Sequence, residues 1–121
     1  MNKYRDKSDF EINKAVADFY LMRECRFNSA DKIVELMDID LSCEFGGEIN
    51  LKDKYVTGTF DPCNNPADAW PIINEYGISL IYQEREFQFA TNDGNIECSI
   101  SNPLKAAMII FLMMKEAENE K

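Results

Sequence analysis

The apolar positions change their period several times along the chain, and each change predicts an element. Ile12, Ala15, Val16, Phe19 and Tyr20 recur at helical spacing, with Asn13, Lys14 and Asp18 between them. Ser8-Asp9-Phe10-Glu11 precedes them as a capping box, in which the Ser8 hydroxyl accepts from the Glu11 N–H and the Glu11 carboxylate reaches back to Ser8. A helix over about 9–23 is predicted. Residues 24–41 admit two readings. Ser29-Ala30-Asp31 can cap a short helix through Met37, or Ile33 to Met37 can form a strand. From Met37 the pattern alternates, with Met37, Ile39, Leu41, Cys43 and Phe45 on one face. Period two predicts a half-buried strand there, closed by a turn at Gly46-Gly47. Ile49 and Leu51 fit a paired continuation, and Tyr55-Val56-Thr57-Gly58-Thr59-Phe60 has the β-branched and aromatic content of a further strand.

After Phe60 the signals sharpen. Asp61-Pro62 starts a turn, Asn65 suits an N-cap, Pro66 suits the first helical position and Asp68 complements the helix dipole. Pro71 tightens or kinks this helix, and Gly77 ends it. Ile78 to Tyr82, Phe87 to Ala90 and Ile96 to Ile100 form an antiparallel meander, with Asn92-Asp93-Gly94-Asn95 as a hairpin. Asn102-Pro103 repeats the Asn-Pro helix start, and the helix to about Glu118 is apolar nearly all round, which implies burial on more than one side. The order helix, strands, helix, strands, helix defines an α+β fold: an antiparallel or mixed sheet with three helices packed on it. One domain over 1–121 is expected, frayed at 1–7 and 117–121.

Charge narrows the functional classes. Twenty-two acids against 13 bases give a net charge of −9, which argues against direct nucleic-acid binding and permits a basic partner. The chain has no histidine, so Ser/His and Cys/His catalysis and His-ligated metals are excluded. Cys25, Cys43, Cys63 and Cys98 contain no C-x-x-C pair, and no apolar leader precedes them. Free thiols in a reducing cytoplasm are expected, with no metal and no cofactor. The longest apolar run, Ala106 to Met114, is too short for a bilayer, so no membrane partner is expected. Its methionines suit a core or a homodimer interface.

The turn before the second helix is the densest chemistry in the chain. Asp61, Asn64, Asn65 and Asp68 supply donors and acceptors beside a helix N-terminus, and Trp70 offers a stacking face. A purely structural assignment covers the same residues: turn, cap, dipole partner and, for Trp70, core anchor. Cys63 at a helix start is a candidate reactive thiol, yet no base accompanies it and acids surround it, so ordinary packing is favoured. A second candidate is an acidic strand face of Asp38, Asp40 and Glu44, in a region where 31–61 hold eight acids and three bases. Carboxylates at alternate strand positions repeat at roughly 6.6–7 Å, near the phosphate spacing of DNA, and any acidic strand shares that spacing.

Three blocks together carry a family resemblance: Ser8 to Lys14; Phe60 to Asn65 with Asp68 to Ile73; and Asn102-Pro103-Leu104 with Ala106 to Ile109. In this order they resemble the phage ABA-sandwich family, small proteins of tailed phages and prophages. The resemblance implies an α/β/α sandwich and a phage or prophage origin, and it implies no activity. The expected function is a non-enzymatic accessory protein that binds a host or phage protein, with an acidic DNA mimic as a special case. The alternative is a small-molecule or nucleotide-binding enzyme that uses the Asp61–Trp70 turn.

Overall fold

Strong local caps set all three helices in the computed structural model, which describes residues 4–39, 54–94 and 96–119. Helix α1 (Asp9–Tyr20) starts on the expected capping box: Ser8 accepts from the Glu11 N–H at 3.2 Å and the Glu11 carboxylate accepts from the Ser8 N–H at 3.4 Å. It buries Ile12, Asn13, Val16 and Ala17. The helix ends three residues before the expected 23, because Leu21 adopts an extended conformation (ψ 132°). Beyond it the Arg23 guanidinium is held on strands, donating to the Met37 carbonyl at 3.3 Å and to Thr57 Oγ1 at 3.1 Å.

The first sheet is antiparallel, in the order β1-β2-β3, from Cys25–Asn28, Ile33–Ile39 and Lys54–Phe60. The ambiguous segment is therefore strand, and it pairs on both sides. Val34 lies between Phe27 and Phe60, and both Val34 and Phe60 are buried. Arg26 sits directly opposite Glu35 and pairs with it at 2.6 Å. The ladder shifts register between Leu36 and Met37. The expected continuation through Phe45, the Gly46-Gly47 turn and the Ile49–Leu51 strand lie outside the described residues.

Helix α2 (Pro66–Tyr76) has Asn65 as N-cap, Pro66 at its start and Gly77 at φ 64° as its left-handed cap. Pro71 lies inside it, and Ala69, Ile72 and Ile73 face the core. The second sheet is the expected meander, β4-β5-β6, from Ser79–Gln83, Glu86–Asn92 and Ile96–Cys98. The strands thus divide into two small antiparallel sheets. Glu84 (φ 54°) and Arg85 (φ 72°) form a two-residue hairpin tip in the left-handed region.

Helix α3 (Pro103–Asn119) sits at the centre of the core. Ala106 to Leu112 are fully buried at every position, because α1 and α2 pack on one side and the second sheet on the other. Phe111 is wedged between Tyr20, at 6.1 Å between ring centroids, and Tyr76, at 4.9 Å. This burial assigns Ala106 to Leu112 to the core, with Met113 and Met114 partly buried beside it. At the start of the described residues, Tyr4 is buried and its hydroxyl donates to the Glu116 carboxylate at 3.1 Å. Among the described residues no helix is long and apolar enough to cross a membrane.

Candidate functional site

The Asp61–Trp70 turn lies where the starts of all three helices converge. Asn13, buried one turn into α1, is the pivot. Its amide nitrogen donates to the Asp61 carboxylate at 2.7 Å, and its amide oxygen accepts from the Cys63 N–H at 3.1 Å. The Asn64 amide donates to Asp9 at 3.0 Å and to Asp61 at 3.2 Å. From α3, the Asn102 amide donates to the Cys63 carbonyl at 2.7 Å, while its oxygen caps α3 by accepting from the Leu104 N–H at 3.0 Å. Lys105 pairs with Asp9 at 3.0 Å.

Within the turn, the Asp61 carbonyl accepts from the Asn65 N–H at 2.7 Å and from the Asn64 N–H at 3.1 Å. Asp68 folds back from α2 so that its carboxylate accepts from the Asp61 N–H at 2.9 Å and from the Asn65 amide at 3.2 Å. The Asn65 oxygen caps α2 through the Ala67 N–H at 3.1 Å. Of the five turn residues singled out in the sequence, the structure joins Asp61, Asn64, Asn65 and Asp68 in one network. Trp70 stands apart from it and is 55% exposed, which corrects its assignment as a core anchor. The inward arc of α2 is taken by Ala69, Ile72 and Ile73, and Trp70 falls outside that arc.

The electrostatics follow from this packing. The Asn64 hydrogen bond holds the Asp9 carboxyl below its ordinary pKa, partial burial opposes this, and Lys105 adds to the lowering. Burial pushes the Cys63 thiol far up, and the charges of Asp9 and Asp61 push it further. A thiol so placed is protonated at neutral pH and is a poor nucleophile. Among the described residues Cys25 and Cys63 are free thiols. No buried side-chain nitrogen or oxygen among them lacks a hydrogen-bond partner. No group of three or more Cys, Asp or Glu among them is placed to hold a metal ion. On the acidic face, Asp38 is exposed on β2 opposite Tyr55; Asp40 and Glu44 lie outside the described residues.

Sequence reading missed a second feature. A groove of about 550 Å³ opens where α1 and α2 both end, lined by Phe19, Tyr20, Met22, Arg23, Glu75 and Tyr76. Met22 is 98% exposed and Phe19 43%. Neither helix has a basic residue in its last turn, so two negative dipole ends face the groove beside Glu75. Burial, and then the charge of Glu75, raise the Tyr20 pKa. The Tyr76 ring already takes a cation, with Lys115 Nζ 4.8 Å from its centroid. The signal in the sequence is faint: exposed apolar residues just past a helix with no basic C-terminal cap.

Comparison with known families places the chain among proteins of bacteriophages. Residues 3–115 match the family described as bacteriophage P22, NinX, and the chain belongs to that family. Neither a curated protein nor a solved structure matches it. The match spans all three motif blocks, and the network described above is what joins those blocks in space.

Proposed function

We propose that the chain is a non-enzymatic accessory protein of a phage or prophage that acts in the host cytoplasm by binding another protein, of host or phage origin. The observation that carries this reading is the groove at the ends of α1 and α2. Phe19 and Met22 expose apolar surface there with no covering element among the described residues, beside two helix C-termini with no basic residue in their last turns. A segment that combines basic and apolar side chains fits this chemistry, and the net charge of −9 favours its approach.

In this reading the Asp61–Trp70 turn is a structural joint. Its polar atoms satisfy one another and the starts of α1 and α3, which leaves little chemistry for a nucleotide or a catalytic step. Trp70, on the surface of α2, belongs with recognition instead. The ABA-sandwich relationship is part of the same proposal, since the blocks that resemble that family are those the joint holds together. An acidic DNA mimic would be a special case, with Asp38 on its face.

The test is capture of a partner from host lysate by the tagged wild-type chain and by a Phe19→Ala/Met22→Ala variant, each at low and high salt. The reading predicts a partner whose retention weakens with salt and is lost in the variant. Equal capture by both chains, or no partner for either, overturns it.

A further inference from the structure

We infer that the free edge of β4 pairs with the β4 edge of a second copy of this chain, to make a two-fold symmetric dimer with a continuous six-stranded sheet.

The hydrogen-bonding pattern fixes which groups are free. The Glu84-Arg85 turn closes on the Gln83↔Glu86 pair, so Gln83 directs its N–H and C=O towards β5. Counting back along the regular pleat, Ile81 and Ser79 also face β5, while Tyr82 and Leu80 turn their N–H and C=O outward. No backbone hydrogen bond reaches those outward groups among the described residues.

Among the described residues, this edge lacks the protection that such edges carry. Exposed edges are ordinarily guarded by charge, proline or a bulge. Among the described residues, the edge strands β1 and β6 each bear a charged residue, Arg26 and Glu97. Strand β4 reads Ser-Leu-Ile-Tyr-Gln, and the extra residue at the register shift, Gln88, lies on β5.

The edge is also complementary to itself. With the two-fold axis at Ile81, Leu80 of each chain faces Tyr82 of the other, and all the outward groups of both residues pair. Ile81, 37% exposed, then meets its own copy as a close pair without hydrogen bonds, where side chains approach most nearly. This register sets the hairpin tip of one chain against the chain leaving α2 in the other. Arg85 there faces a helix end that carries Glu75 and has no base of its own. The pairing is a small interface, of the class of weak and transient contacts, and at Glu75 it abuts the groove proposed for a partner protein.

The experiment is sedimentation equilibrium of the full chain over roughly 10–500 µM, a span chosen for a weak, transient interface. The wild type moves from 14.0 kDa towards twice that mass as concentration rises. Ile81→Lys, at an exposed position, raises the dimer dissociation constant at least tenfold. Tyr82→Pro does the same by deleting one outward N–H, the change that edge strands tolerate. Circular dichroism of each variant establishes that it is folded. In a third variant, Ile81→Cys, mild oxidation links two chains faster than it links the wild type. A wild type that stays at one chain's mass throughout, or a dimer that folded Ile81→Lys leaves intact, overturns the proposal.

Discussion

Replacing Asn13 by alanine cuts the joint between α1 and the turn at its pivot. Two hydrogen bonds go at once: the 2.7 Å bond to the Asp61 carboxylate and the 3.1 Å bond from the Cys63 N–H. Asn13 and Cys63 are both buried, so water cannot easily replace either partner. A stranded buried N–H costs about 1–3 kcal/mol, and a hydrogen bond to a charged group is worth about 1.5–3 kcal/mol. Part of the second loss is recovered, because Asp61 keeps Asn64 as a donor. The expected destabilisation is about 3 kcal/mol, a large share of the ~5–15 kcal/mol that holds a domain of this size. With an unfolding entropy of about 2.1 cal/mol/K per residue over the chain, that corresponds to a fall in Tm of roughly 12 °C. Urea unfolding followed by circular dichroism, with the m-value checked for constancy, measures it directly. An Asn13→Asp variant provides the sign test. It keeps an acceptor for Cys63 but sets a second carboxylate against Asp61, so it is at least as unstable at pH 7 and recovers as pH falls and one carboxyl protonates. A cost below about 1 kcal/mol for Asn13→Ala, or no pH-dependent recovery in Asn13→Asp, would refute the assignment of this residue as the pivot.

Other consequences are separately measurable. Asp9 has a folded-state pKa below its unfolded value, so the stability it contributes is present above about pH 4 and is lost as pH falls through the lower folded pKa. Asp9→Asn should therefore flatten the acid limb of the stability curve, at a cost near pH 7 of only about 0.5–1 kcal/mol, because the side chain is partly solvated. Gly77→Ala should cost about 1 kcal/mol in a denaturation series: a Cβ there meets nothing within 4 Å, so the penalty is that of φ 64° alone. Native-state alkylation read by mass spectrometry should leave Cys63 unmodified until the chain unfolds globally, whereas a Cys63 that labels in the folded state would contradict its burial. The fluorescence of Trp70, the only tryptophan, should be red-shifted and open to acrylamide quenching in the folded chain; strong protection would contradict its exposed placement.

What could be read from the sequence was local. Ser8, Asn65 and Asn102 cap their helices through neighbours two or three positions away, and Asp93-Gly94 turns its hairpin in the same short range. Strand β1 could not be read, because Cys25-Arg26-Phe27-Asn28 is too short to show a period and is defined only by pairing with β2. The helix-or-strand ambiguity at Ile33 was settled the same way, by partners on both sides. Trp70 admitted two placements, a stacking face and a core anchor, and helical phase decides between them by giving the inward positions to Ala69, Ile72 and Ile73. At the candidate site the residue types were legible and their roles only partly so. Asp61 takes its shortest side-chain bond from Asn13, 48 positions away, and Cys63 gives its carbonyl to Asn102, 39 positions away. The groove at the ends of α1 and α2 is likewise a product of packing.

The most direct measurement compares partner capture by two variants that are folded at the assay temperature. Asn64→Ala weakens the joint at an exposed position, and Phe19→Ala/Met22→Ala strips the apolar surface of the groove. If the turn is a structural joint and recognition lies at the groove, the first retains the partner captured by the wild type and the second loses it. Loss of the partner by folded Asn64→Ala, with capture intact in the groove variant, would contradict that division and return function to the turn.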